Sequence, residues 1–405
     1  MSGLWSQFGA AVEQRATTAA TSSTGIGTLT FSSSHGLRPG DIIVLSGATP
    51  SGWNGSYVVQ TVPNTTTLTI LAPTNPAAAS VQPTVTGYGM RGVTVGRFFE
   101  YNSDGVKINP GRIKSQGMRA GARQVRADRS IPYVIDATGP IPMDVMSRGF
   151  GFWLQQMLGS IAVASNTPAA SVQTMTATLG ELVGVSFAGQ IGVPYTGAPG
   201  SGLAVTVVPK NLYGCKVAGW ELSCEKDGPL VLQLDIDGQS GDHVGTVAVA
   251  SYPTCEPLTF LGASVQIGGV AVDATKVSIK GTNPMRTDGR KLRNSAAKKE
   301  PFINGYRDIA VAVDLDFTSL TNQNRILAAT AAGTETTFGV TFTGLSEIAT
   351  GVLPSLGITA PAVQWDGDTP TVSGPDLVPE SLTGMVLDTG ASLITATYIT
   401  LDTAA

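Results

Sequence analysis

Apolar and polar positions alternate with period two through much of this chain, which predicts strands as the dominant element. From Arg307 to Phe317, Ile309, Val311, Val313, Leu315 and Phe317 share one face, while Asp308, Ala310, Ala312, Asp314 and Asp316 share the other. Such unbroken alternation is what a strand with one buried face requires. The segment Ile131–Val145 is looser, with Tyr133, Ile135, Ile141, Met143 and Val145 inward against Asp136, Thr138 and Asp144. Leu230–Asp237 sets Leu232, Leu234 and Ile236 against Gln233, Asp235 and Asp237. Several strands thus oppose an apolar face to a small, acidic one. A helical period appears in two places. Phe150, Trp153, Leu154, Met157 and Leu158 predict a helix over Arg148–Gly159, with Gln155 and Gln156 facing away. Phe317, Leu320, Leu327 and Ala331 predict a second over Thr318–Ala331, which Thr318 or Ser319 can cap.

These elements recur in the same order. A basic segment, an alternating strand and a short helix occupy Lys107–Arg129, Ile131–Val145 and Arg148–Gly159, and recur about 170 residues later as Arg286–Glu300, Tyr306–Phe317 and Thr318–Ala331. A repeat at this scale indicates a duplicated unit, able to occupy two equivalent places in a ring. The two basic segments hold 13 of the 25 Lys and Arg residues, leaving 12 basic against 26 acidic residues elsewhere. In the first arm these are Lys107, Arg112, Lys114, Arg119, Arg123, Arg126 and Arg129; in the second, Arg286, Arg290, Lys291, Arg293, Lys298 and Lys299. Neither arm interleaves the aromatics that stack on bases, so docking on an acidic surface of a neighbouring subunit is favoured over nucleic-acid binding.

Composition supports a β-rich reading. The 405 residues include 49 Gly and 24 Pro, with only 13% charged, well below the roughly 25% usual in soluble domains. No apolar run is long enough to span a membrane, and the N-terminus lacks the layout of a secretory signal. Cys215, Cys224 and Cys255 have no CxxC spacing and read as buried thiols. With only His35 and His243, histidine chemistry is poorly supported, and no metal or cofactor site is expected. Paired carboxylates (Asp235/Asp237, Asp366/Asp368) would suit an acid/base pair or a cation cage only if they converged in a concavity. Residues 17–92 stand apart, Thr-rich and nearly free of charge. Strands are expected at Ile26–Phe31, Asp41–Leu45, Ser56–Val62 and Thr66–Leu71, and Asn54-Gly55 is a hairpin signal.

The blocks FFEYNSD (Phe98–Asp104), GRIKSQGMRAGARQVRADR, RGFGFWLQQMLGS, YGCKVAGWELSC, KKEPFINGYRD and VQWDGDTPTVSGPDLV together resemble the tail tube proteins of long-tailed, non-contractile bacteriophages. The resemblance covers residues 1–16 and roughly 93–405. It implies a mainly β protein with two tandem tube-type β-sandwich or barrel domains, each with a flanking helix. The division would be 1–16 as the start of the first domain, 17–92 as an inserted small all-β module, 93–250 as the first tube domain and 251–405 as the second. It also implies a structural, non-enzymatic virion protein, assembled in the host cytoplasm, whose rings stack around a DNA channel. Two domains per chain would close a pseudo-sixfold ring with three chains, hexameric rings being the alternative.

On that reading Asp136, Thr138, Asp144, Gln233, Asp235, Asp237, Asp308, Asp314 and Asp316 face the lumen, and both basic arms make inter-ring contacts. The partners implied are other copies of the chain, a tape measure protein and DNA held without sequence-specific binding in the lumen, and tail terminator and distal tail proteins at the ends, with no membrane. Alternatives are a secreted or virion-surface carbohydrate-binding β-sandwich, which requires exposed aromatics on one face, and an enzyme built on the paired aspartates.

Overall fold

The computed structural model describes every residue except 1–5, 73, 116, 118–123, 125, 166–170, 197–204, 293–294, 373, 375–376, 391–392 and 405. Arg119, Arg123 and Arg293 of the sequence reading therefore lie outside the described residues.

Strand β1 (Gln7–Val12) precedes a separate seven-stranded sheet. That sheet comprises β2 (Gln14–Ala16), β3 (Ala19–Ser23), β4 (Ile26–Thr30), β5 (Ile42–Ser46), β6 (Gly55–Asn64), β7 (Thr67–Leu71) and β8 (Thr84–Gly87), in the order β2-β8-β5-β6-β7-β4-β3. It encloses its own core, including Leu29, Ile43, Trp53, Leu68 and Ile70. The chain returns with β9 (Arg97–Phe99), β10 (Lys107–Lys114), β11 (Ser130–Asp144), α1 (Phe150–Leu158), β12 (Gly159–Ser165), β13 (Gln173–Leu179), β14 (Phe187–Thr196), β15 (Val205–Glu225), β16 (Val231–Gly238) and β17 (Ser240–Asp242). It continues through β18 (Ala263–Ile267), β19 (Val270–Val272), β20 (Ala274–Thr282), β21 (Asp308–Asp316), α2 (Thr321–Ala332), β22 (Thr336–Thr343), β23 (Ser355–Gly367), β24 (Pro379–Val386) and β25 (Thr395–Thr400).

The two repeats share one antiparallel sheet, with strand order β10-β11-β16-β15 followed by β20-β21-β24-β23. The second foursome reproduces the first, displaced along the sheet. Where they meet, β15 pairs with β20 from Gly219 opposite Thr282 to Glu225 opposite Lys276. A second link comes from β25, which pairs with β13 of the first repeat and β23 of its own. One apolar core runs beneath both repeats.

Glycines in the left-handed region, Gly149 (φ 86°) and Gly159 (φ 97°), flank α1, as helix termination favours. Trp153 packs against Phe8, Phe99 and Phe187. The helix is more deeply set than its sequence indicates: Gln156, expected to face away, is buried. Its last carbonyls are satisfied by the other repeat. Arg307 donates to Met157 O (2.8 Å), Leu158 O (3.2 Å) and Gly180 O (2.8 Å), and Asn283 donates to Met157 O (3.1 Å). Burial pushes the Arg307 guanidinium down to about 10, and Glu181 opposes the shift.

Three expectations need correction. The apolar stripe read for the second helix fails, because Leu320 and Leu327 are exposed and Ile326 and Ala329 supply the buried side. Asn54-Gly55 is not a two-residue hairpin turn. A longer connection joins β5 to β6, and Asn54 Oδ1 accepts from Ala48 N (2.9 Å) inside it. Tyr133, expected inward, is exposed, because β11 extends past the core before Ala137 and pairs there only with β10.

Glu13 lies where β1, the seven-stranded sheet and β15 converge. Its carboxylate is fully buried and accepts from Gly89 N (2.8 Å), Gly214 N (2.7 Å) and Ser186 Oγ (2.6 Å). Burial raises its pKa from 4.5 to about 7, against the pull of these donors and Lys216. A raised acid pKa means that the folded state holds the proton more tightly. Its contribution to stability is therefore full below about pH 4.5 and lost as pH rises through 7. Glu13→Gln places an amide where donors already point, and should cost about 1–3 kcal/mol. Denaturant melts at pH 5 and 8 should show that cost, with the Glu13 share of the pH dependence gone.

Candidate assembly surfaces

The outer face of the shared sheet carries most of the predicted acidic positions. Gln233, Asp235, Asp308 and Asp316 are exposed, while Asp136, Thr138, Asp144 and Asp314 are half-buried. Asp144 accepts from Asn102 (3.0 Å), Thr138 from Asn109 (3.1 Å) and Asp314 from Ser381 (2.7 Å). Cross-strand registers extend this face into strands that the sequence reading did not use. Glu221 stands opposite Gln233 and Lys280, Glu225 opposite Lys276, and Asp366 opposite Thr383. Alternation in Glu221, Ser223, Glu225 and in Lys276, Ser278, Lys280 was the available signal. The face is acidic with Lys107, Lys276 and Lys280 in it, and Lys276 is paired with Glu225 at 2.5 Å.

Asp237 departs from the expected exposure. It is buried, and Lys298, itself buried, donates to it at 2.8 Å. Burial raises the Asp237 pKa and Lys298 opposes the rise. The cause is the second basic arm, which folds back over the first repeat. Arg290 donates to both oxygens of Asp136 (2.8 and 2.6 Å) and sits over the Tyr133 ring. Gln239 donates to Lys298 O at 2.8 Å. Glu300 accepts from Gly184 N (2.7 Å) and pairs with Lys216 (2.8 Å), a lysine held 2% exposed. Arg290 and Lys298 were expected to serve other rings, yet their charges are engaged within the chain. Of the rest of this arm, Arg286 is exposed beside Asp288 (2.9 Å), Lys291 is exposed and Lys299 half-buried.

The first arm is different. β10 and the start of β11 form a hairpin in which Arg112, Lys114, Arg129 and the apolar Ile113 and Ile131 are exposed. Arg126 pairs with Asp128 at 2.8 Å. The second repeat also has a surface without its counterpart cover. Asp308 and Met385 stand where the first repeat has Asp136 and Asp237, and with Gln364 they line an open groove of about 550 Å³.

All four described tryptophans (Trp53, Trp153, Trp220, Trp365) are buried, so none offers a face to a sugar ring. Among the described residues no three Asp, Glu, His or Cys side chains are grouped to hold a metal ion. Asp237 is committed to Lys298, and Asp366 and Asp368 line a wide cleft of about 780 Å³ shared with Lys276 and Lys226. No helix among the described residues is long and apolar enough to cross a membrane.

A mainly β protein whose second arm docks on its own sheet, and whose first arm exposes its described basic residues Arg112, Lys114, Arg126 and Arg129, has the features of a structural protein and not of a catalytic one. Residues 54–386 match the family described as phage tail tube protein, and the chain belongs to that family. The match begins inside the seven-stranded sheet, at Asn54, and runs to Val386 at the end of β24. No curated protein matches the chain. The family is one of structural phage tail components, not of enzymes.

The buried Lys298–Asp237 pair gives a direct test of the arm's role. Lys298→Ala leaves Asp237 buried without its cation and should destabilise the unassembled subunit by about 3–5 kcal/mol. Arg290→Ala, at a half-exposed site, should cost about 1 kcal/mol or less. Chemical denaturation of both variants checks the ranking.

Proposed function

We propose that this chain forms the hollow tail tube of a long-tailed phage, as stacked rings through which DNA passes into the host. The observation that carries this reading is the eight-stranded sheet made of two displaced, equivalent foursomes. A foursome that has been repeated once by translation along a sheet is repeated further by adding copies, and a curved sheet removes its edges only by closing on itself. Three chains supply six foursomes, so a threefold ring with a sixfold-like inner wall is the natural closure.

In this arrangement the acidic outer face of the sheet lines the channel. Asp144, Asp235, Asp308, Asp314 and Asp316 then repel phosphate, with Thr138 and Gln233 as neutral lining and Asp136 offset by Arg290, and DNA moves without the counterion release that makes basic surfaces sticky. Asp237 is withdrawn from that lining by Lys298. The first arm, with Arg112, Lys114, Arg126 and Arg129 beside exposed Ile113 and Ile131, is the segment free to contact the next ring. A tape measure protein in the lumen and terminator and distal tail proteins at the ends complete the partners. The inserted module, with its own core, projects from the tube wall.

Negative-stain electron microscopy of the purified protein tests the reading. Hollow polymers with threefold rotational averages are expected; solid aggregates or permanent monomers under all assembly conditions contradict it. Deleting residues 112–126 should leave a folded, soluble subunit that makes no tubes longer than a few rings. Reversing charge in the channel by Asp235→Lys and Asp308→Lys should leave tube length unchanged and reduce DNA delivery by virions carrying the variant.

A further inference from the structure

The junction between the two repeats is a template for the junction between chains. At one end of the shared sheet, β10 pairs, among the described residues, only with β11. At the other, again among the described residues, Gln364–Gly367 of β23 pair only with β24. In the first repeat the strand in the β23 position is β15, and its corresponding edge is filled by β20. The strand in the β20 position at the start of the first repeat is β10. Each open edge is therefore the half of a joint whose other half exists at the opposite end of the same molecule.

The internal registers fix how the halves meet. Asp136 and Asp144 on β11 have the spacing and position of Asp308 and Asp316 on β21. Lys107 lies opposite Thr138, and Lys280 opposite Ala310, so Lys107 holds the place of Lys280 and Asn109 that of Thr282. Asp144 lies opposite Val231 and Asp316 opposite Pro379, so Gln233 and Asp235 correspond to Ser381 and Thr383. Asp235 faces Gly219 and Thr383 faces Asp366, so Asp366 holds the place of Gly219, and Asp368 that of Glu221. In the chain, Gly219 faces Thr282 and Glu221 faces Lys280.

We propose that a second copy of this chain adds its β10 antiparallel to β23, with Asn109 opposite Asp366 and Lys107 opposite Asp368. The charges suit the joint: an acidic Asp366–Gly367–Asp368 edge meets a strand beginning with lysine. The template joint runs one bond past Thr282, where Asn283 N donates to Ala218 O at 2.8 Å; Pro110 holds the place of Asn283 and has no N–H, so the ladder between chains stops at Asn109. The joint rests on the tube reading, and it concerns the root of the first hairpin, leaving the tip beyond Arg112 for other contacts.

Cysteine cross-linking tests it in a background with Cys255→Ser, Cys215 and Cys224 being buried. Asn109→Cys with Asp366→Cys should give disulfide-linked dimers and trimers on oxidation of assembled tubes, and only monomers when unassembled protein is oxidised. The shifted pair Lys107→Cys with Asp366→Cys should link at least about tenfold less, since strand neighbours two positions off exceed disulfide reach. Tubes that form normally but link better through the shifted pair, or through neither, overturn the joint and leave the tube reading standing. Absence of tubes from the unsubstituted protein overturns the tube reading itself. Charge reversal supplies an independent arm: Lys107→Asp or Asp368→Lys alone should raise the concentration needed for assembly at least about tenfold, and the double reversal should restore it. Equal assembly by all four proteins also overturns the joint.

Discussion

A strand edge exposes backbone donors and acceptors that need partners, and this one requirement organises the molecule. Duplicating an open sheet doubles its edges unless the copies join. Here they join through β15 and β20, so that one pair of edges disappears inside the chain. The core follows from that union. Because the sheet is continuous, the apolar faces of β11, β16, β15, β20, β21 and β24 cover a common interior, and α1 can be completed by Arg307 and Asn283 from beyond the junction.

Charge is handled in two ways according to its surroundings. On the open sheet face, carboxylates stay hydrated and lie among small residues. Under the second arm they are withdrawn from water and paired: Asp237 with Lys298, and Glu300 with Lys216. A buried pair contributes little beyond its own desolvation cost, yet losing one member is expensive. These pairs therefore act chiefly to fix where the arm goes.

The sequence made the sheet faces legible because burial on one side enforces period two. Ile309 to Leu315 is buried at every second position, as the alternation required. Helix α1 was legible in extent but not in depth, since Gln156 is polar and yet buried, a feature with no local signature. The α2 stripe misled because the helix lies shallowly on β23, where two small or branched residues suffice for contact. The fate of the arms was the least legible. Both are basic, and the decisive partners of the second, Asp136 and Asp237, lie more than 50 residues away on strands whose spatial order follows only from pairing.

The 21-residue strand β15 passes from its pairing with β14 into the shared sheet, bending at Gly214 (φ 61°) and bulging between Val217 and Gly219. Through the β15–β20 ladder and through β25, which bonds to both, the two repeats are tied together at two places. An assembly made of such units is stiff wherever a single chain runs, and flexes only where separate chains touch. Curvature of a long filament would then come from many small gaps opening between rigid blocks, in the manner of a jointed pipe.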